Sequence, residues 1–377
     1  MSDINRAAAK FFTDAANALE TGVAVNRARI AVTGLGGEFG EKPIAEACAA
    51  AVLKGFCVHY LGTETVPGAV NITCTDEDQC HAEMARLLKS GECAAAVTMH
   101  HNFPLGTATV GRVITPSRGK EMFIATTTGT PSSDRTLSLV LGAIYGLAAA
   151  KSCGVENPTV GLLNIDGARR AASALRKLRD GGFPIEFAES ARSDGGAILR
   201  GNDVLLGTAD VLVCDPLTGN VLVKMLSAYT SGGSRECAGY GYGPGIGRDA
   251  APPVLIVSRA ADAPVILNAI RYAAEVVGGG ITKIASSLLA LADHCGLSTV
   301  IDTPREVAPD FEPLAREPVT EEIPGIEVTD IEDAALFLQK SGIYAEGGMG
   351  CTGPVIMVNE KNFTRAEEFL REARYID

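Results

Sequence analysis

The amino-acid sequence predicts an α/β fold: a mostly parallel sheet sandwiched by helices. Three observations carry this. Short apolar runs ending in Gly, Asp or Asn alternate with longer stretches of helical length. The runs are almost continuously apolar rather than alternating, which is the pattern of strands buried on both faces. Hydrophobic residues make up 46% of the 377, yet aromatic residues only 5%, and tryptophan is absent. That composition favours close helix-on-sheet packing over aromatic stacking.

Taken in order, "MSDINRAAAKFFTDAANALETG" reads as a short amphipathic helix with no apolar run of signal-peptide length. "RIAVTG" (29–34) reads as a strand, followed by a helix through "KPIAEACAAAVLKG". "FCVHYLG" (56–62) and "AAAVTM" (94–99) read as strands. "TLSLVLGAIYGLAAA" (136–150) is shorter than the ~20 residues that span a bilayer and reads as a buried core helix. "TVGLLN" (159–164) is a strand with helix "ARRAASALRKLRDGG" after it. "PIEFAES" (184–190), "DVLVCD" (210–215) and "PVLIVS" (253–258) are further strands. From about 302 to 330 the chain turns proline-rich and acidic, and 301–330 is expected to be a linker or surface strap. Residues 331–377 then give helix, strand-like segment and helix, a small C-terminal unit that carries Cys351.

A formal net charge of −12 argues against a nucleic-acid partner. No membrane association is expected either, and the protein is expected to be cytoplasmic. Ten scattered cysteines form no C-x-x-C pair and no zinc-like spacing with histidine. No metal and no cofactor are therefore expected, and most of the thiols should be reduced, small buried groups.

Ligands in parallel sheets bind at the carboxyl ends of strands, so the residues just after each strand are the candidates. "AVTGLGGEFGEKPI" (31–44) is either a dinucleotide cradle or a tight strand-to-helix turn; glycine stands at 40, not at 39 where the fingerprint needs it. After "VLVCD", Thr218, Gly219 and Asn220 are read as opening a helix whose N–H groups form an anion site, with Lys224 one turn on and Asp215 just before. Arg192 and Arg200 follow another strand and could hold a phosphate bidentately. His100 and His101 close the strand at 94–99 and are candidates for acid/base work, as is Asp215. "GYGYGPGIG" (239–247) reads as a loop or lid. In "AEGGMGCTGPV" (345–355), Cys351 lies among Gly348, Gly350 and Gly353, whose backbone donors could favour a thiolate and stabilise an oxyanion. Each of these also has a purely structural reading.

Two resemblances sharpen these expectations. "GLGGEFGEKPI" and "GNDVLLGTADVLVCDPLTGNVLVK" resemble the phosphate acyltransferases of phospholipid synthesis over roughly residues 29–290. That resemblance implies an isocitrate-dehydrogenase-like fold and assigns 1–300 to a phosphate acyltransferase domain. Over nearly the whole chain, "VGLLNIDGARR", "FAESARSDGGAILRGND", "SGGSRECAGYGYGPGIG" and "GGMGCTGPV" are similar to the component C alpha subunits of glycine, sarcosine and betaine reductases. This second resemblance implies an acetyl thioester on Cys351, passed to inorganic phosphate as acetyl phosphate, in amino-acid fermentation. It also implies a thiolase-like beta subunit and a selenoprotein component A as partners. A homo-oligomer is expected. Coenzyme A-dependent phosphate acyl transfer, and a docking subunit without catalysis, are the alternatives. Direct transfer requires the C-terminal unit to fold back over the carboxyl edge of the sheet.

Overall fold

The computed structural model describes residues 26–192, 196–249, 251–298, 314–326, 330–350 and 353–376, with Phe12, Ala16 and Leu19 before them. The chain opens with β1 (Asn26–Thr33), α1 (Lys42–Leu53), β2 (Phe56–Gly62), β3 (Val70–Thr73), α2 (Glu77–Lys89) and β4 (Ala95–Thr98). A hairpin follows, β5 (Thr107–Ile114) and β6 (Glu121–Thr130), then α3 (Arg135–Ser152). Next come β7 (Thr159–Leu163), α4 (Ala168–Asp180), β8 (Glu186–Phe187), β9 (Ile198–Leu199), α5 (Gly201–Leu206), β10 (Val211–Val213) and α6 (Pro216–Ala228). β11 (Gly243–Ile246), β12 (Val254–Ile256), α7 (Ala263–Gly278) and α8 (Ile281–His294) complete the large unit.

Its twelve strands form one sheet in the order β3-β2-β1-β4-β12-β11-β5-β6-β10-β7-β8, with β9 also beside β7. β3, β2, β1, β4 and β12 are mutually parallel. β6, β10, β7, β8 and β9 are parallel too. Between them β12–β11, β11–β5 and β5–β6 are all antiparallel. The two halves therefore point in opposite directions, and the sheet has two carboxyl edges where the sequence reading assumed one.

The stretch 239–247, expected as a loop or lid, is a correction. Gly243–Ile246 is strand β11 in the middle of the sheet. A Cβ on Gly243 would lie 1.7 Å from the Val110 carbonyl oxygen, so only glycine lets the two backbones approach there. The apolar run at 136–150 does form a buried helix: α3 is covered from Leu139 to Ala150. Its Gly146 faces Val211 of β10, where a Cβ would come within 2.3 Å of the Val211 side chain. Among the described residues no single helix is long and apolar enough to cross a membrane.

The C-terminal unit is a three-stranded antiparallel sheet, β13-β15-β14, made of β13 (Glu321–Pro324), β14 (Ala345–Gly350) and β15 (Gly353–Val358). α9 (Ile331–Lys340) and α10 (Phe363–Glu372) cover it around a core of Ile323, Leu338, Ile343, Ile356 and Leu370. β13 falls inside the stretch expected as linker, so the last part of 301–330 belongs to this unit. Its Ile323 is buried against β15, which explains an apolar residue in an acidic run.

α6 crosses the face of the hairpin β5–β6 with Gly219 against the strand. A Cβ at Gly219 would meet the Thr126 carbonyl oxygen at 1.9 Å. Gly219→Ala is expected to lower stability by about 1–3 kcal/mol through overpacking. Urea unfolding followed by circular dichroism checks this; an unchanged midpoint would show that the helix can shift freely.

Candidate functional site

The carboxyl edge of the second half gathers the loops after β6, β7, β9 and β10. Asp215, the residue before α6, accepts hydrogen bonds from the Thr218 N–H at 3.0 Å and the Thr218 hydroxyl at 2.5 Å. Gly219 N–H is spent inside the helix, on the Asp215 carbonyl at 2.9 Å. α6 thus opens at Pro216, not at Gly219, and its dipole is already met by the chain's own carboxylate. This corrects the reading of Thr218, Gly219 and Asn220 as a ring of free N–H donors, and gives Asp215 a capping role. The half-buried Asn220 amide has no hydrogen-bond partner among the described residues.

Arg200 stands two strands away, directly after β9, and no carboxylate pairs with its guanidinium among the described residues. Asp203 holds its loop. Buried at 1% exposure, it accepts the Ser190 hydroxyl at 2.9 Å and the N–H groups of Ala191 at 2.7 Å and Arg200 at 2.8 Å. Burial pushes the Asp203 pKa up, but these donors and the Thr208 hydroxyl outweigh it and hold the carboxyl below its ordinary value. Arg192 N–H donates to the Ser190 hydroxyl at 3.2 Å, which ties Arg192 to the same loop. Asp203 was missed in the sequence. Its signal is an acid three residues into a helix, reaching back to the N-cap backbone.

Lys224 does not join this group. Its Nζ lies 3.1 Å from Glu236 Oε1 and donates to Ser258 Oγ at 3.2 Å. Ser258 follows β12, so the lysine serves the opposite carboxyl edge. His100 and His101, after β4, lie at that opposite edge as well. His101 packs edge-on to Phe103, with ring centroids 4.8 Å apart, and burial holds its pKa below the ordinary value, helped by His81 and His100. The structure therefore splits the expected constellation: Asp215, Asn220, Arg192 and Arg200 share one edge, and Lys224, His100 and His101 share the other.

The glycine loop after β1 also belongs to that opposite edge, and its centre is filled. Glu41 Oε1 accepts the Tyr60 hydroxyl at 2.6 Å and the N–H groups of Thr63 at 2.6 Å and Glu64 at 3.0 Å. A Cβ on Gly62 or Gly34 would come within 2.1 or 2.9 Å of that oxygen. The glycines make room for an internal carboxylate, which favours the tight-turn reading over a pyrophosphate cradle.

Cys351 lies outside the described residues, between β14 and β15. Gly348 pairs with Val355, and Gly350 with Gly353, in the antiparallel ladder. Two nearby glycines have packing reasons: a Cβ on Gly347 would lie 2.4 Å from Ile331 of α9, and one on Gly348 would lie 3.1 Å from the Met357 sulfur. Gly348, Gly350 and Gly353 are thus strand residues rather than an open nest of donors. Among the other thiols, burial pushes Cys93 up to about 11, Cys80 to about 12, and Cys48 and Cys214 higher. They are inert core groups, as expected.

The C-terminal unit docks on the first turns of α4, just past the carboxyl end of β7. Arg170 of α4 pairs with the buried Asp330, its Nε donating at 3.0 Å. Gly325 sits against the Arg169 guanidinium, 3.5 Å from where its Cβ would be. No side chain caps α4, whose N-cap is Gly167 at φ 85°.

Asp203 yields a test of the loop. Its folded pKa is depressed, so its stabilisation is present above the ordinary value of about 3.9 and is lost as pH falls through the folded value. Asp203→Asn is expected to cost about 1–3 kcal/mol at neutral pH. Its melting temperature should also fall less steeply below about pH 4 than that of the parent. Equal stability and equal acid dependence would remove the carboxylate from this role.

Comparison with known proteins adds the family. The family described as "Fatty acid synthesis protein" matches residues 28–357, beyond the 29–290 over which the acyltransferase resemblance was read. The chain is 45% identical to the glycine/sarcosine/betaine reductase complex component C subunit alpha of Peptoclostridium acidaminophilum, over 99% of both chains. It is 40% identical over 92 residues to a phosphate acyltransferase of Bacillus cereus (strain B4264), 23% of this chain and 24% of that one. A solved branched-chain phosphotransacylase from Enterococcus faecalis V583 aligns with TM-score 0.46 and 17% identity, over 66% of this chain and 99% of that one, too distant to inform the site. On the family match and the full-length identity, the chain belongs to the fatty acid synthesis protein family and, within it, to the component C alpha subunits of glycine, sarcosine and betaine reductases.

Proposed function

We propose that this chain is the acyl-transfer subunit of a reductase complex of that kind. It takes a two-carbon unit as an acetyl thioester on Cys351 and releases it to inorganic phosphate as acetyl phosphate. A phosphate oxygen adds to the thioester carbonyl carbon; the tetrahedral oxyanion collapses, the C–S bond breaks, and the sulfur leaves as thiolate. The observation that carries the reading is the seat of the C-terminal unit: it is anchored through Arg170 and Asp330 beside the edge that holds Arg200 and Asn220. A unit seated there can bring its acyl group to a phosphate held by the guanidinium and the amide. In a chain of net charge −12, such a local cation is what an anionic substrate needs. A thiolase-like beta subunit and a selenoprotein component would supply the two-carbon unit.

The 92-residue identity to a phosphate acyltransferase favours a second reading, transfer between coenzyme A and phosphate with Cys351 idle. Cys351→Ser separates the two. Under the thioester reading the variant keeps its melting temperature, takes up no acetyl group from acetyl phosphate by intact-protein mass spectrometry, and loses turnover. Full turnover in the variant would favour the coenzyme A route and sink the thioester.

The phosphate pocket has its own test. Losing a charge-assisted contact costs about 1.5–3 kcal/mol, so Arg200→Ala should raise the KM for phosphate about tenfold or more. Lys224→Ala should change it far less, because that lysine serves Glu236 and Ser258. The reverse order would move the pocket to the opposite edge.

A further inference from the structure

A cavity of about 190 Å³ lies at the seam between the C-terminal unit and α4, and Arg169, Arg170, Ser173, Asp330, Arg371 and Arg374 are among its lining residues. Helical spacing explains one wall. Arg169, Ser173 and Lys177 stand four residues apart along α4, with Arg170 beside them, so one face of the helix is cationic. The other wall is the end of α10. There Tyr375 N–H reaches back to the Leu370 carbonyl at 2.7 Å, and Arg374 N–H to the Arg371 carbonyl at 3.0 Å. Arg374 occupies the left-handed position of this turn, at φ 63°, where glycine is the usual residue. Arg374 from this turn lines the cavity.

Within this lining Asp330 pairs with Arg170, and Glu367 pairs with Arg371 at 2.9 Å. Burial lowers the Lys177 pKa, and the neighbouring Arg374 lowers it further. The cavity is far larger than the about 10–15 Å³ that one water needs, so a small anion fits. Guanidinium groups present paired donors that match phosphate oxygens, and the Ser173 hydroxyl adds a neutral one.

We propose that this seam binds a phosphate-class oxyanion, either free phosphate or the phosphate group of a small metabolite. Because its ligands come from both α4 and α10, the anion ties the C-terminal unit to the large one. This site is separate from the acceptor site at Arg200 and does not rest on the acyl-transfer reading.

Titration calorimetry of the full chain with inorganic phosphate tests it, using Arg200→Ala as the background so that the acceptor site is weakened. One binding event should remain, and adding Arg374→Gly should weaken it about tenfold or more. Arg374→Gly places the residue best suited to that backbone turn, so the fold is retained, and the melting temperature without phosphate verifies this. Glycerol phosphate in place of inorganic phosphate distinguishes the sources: tighter binding assigns an esterified phosphate, weaker binding the free ion. Absence of binding in Arg200→Ala, or binding that Arg374→Gly leaves unchanged, overturns the seam site. Either result leaves the Cys351 and Arg200 tests of acyl transfer standing.

Discussion

A Cβ on Gly243 would come within 1.7 Å of the Val110 carbonyl oxygen, and on that close approach the direction of half the sheet depends. β11 has to lie against β5 without side-chain bulk, and glycine at 243 permits it. With β11 in place, β12 and β6 are joined through two antiparallel neighbours, and the two parallel halves run in opposite senses. Each half then has its own carboxyl edge, and the rule that ligands sit at such edges yields two places instead of one. Which residues meet then depends on which half they terminate, and, for Lys224, on the course of α6 from one edge toward the other.

Both edges use the same electrostatic device. At one, Glu41 takes up the N–H groups of Thr63 and Glu64 just after β2; at the other, Asp215 takes up the Thr218 N–H at the start of α6. In each case N–H groups that could hold a foreign anion hold a carboxylate of the chain itself. Under the proposals above, the binding of anions falls to side chains, to Arg200 near β9 and to the arginines that line the seam with the C-terminal unit. This suits an acidic protein. The start of α6 is capped by the chain's own carboxylate.

Much of the architecture was legible because local signals agree with it. β1, β2, β4, β7, β10 and β12 are apolar runs closed by glycine or polar residues, and α3 and α4 have clear helical length and pattern. β5, β6 and β11 were not. "TATVGRVI" and "EMFIATTTGT" are rich in threonine and "GPGI" in glycine, so no run of large apolar residues marks them. What makes them strands is pairing with distant neighbours, which a local pattern does not encode. The site divides in the same way. The types of its residues were visible, and Lys224 does lie one turn beyond Asn220. Missing was the course of α6 across the hairpin, which delivers the lysine to Ser258. Asp203 and Glu236 were missed because a buried carboxylate looks in sequence like any surface acid. Glu236 is wholly buried, with Tyr242 and Lys224 on one oxygen and no partner for the other among the described residues.

β13 gives the C-terminal unit a mechanical character. The strand that completes its small sheet, Glu321–Pro324, is delivered by the chain segment leading into the unit and hydrogen-bonds along β15. Pulling that segment away would strip an edge from the sheet and uncover Ile323 and Ile356. The thiol-bearing hairpin therefore cannot swing from a pivot at residue 330 while the preceding segment stays behind; the anchored strand travels with it. Any displacement of this unit therefore moves Glu321–Pro324, β14 and β15 together as one body.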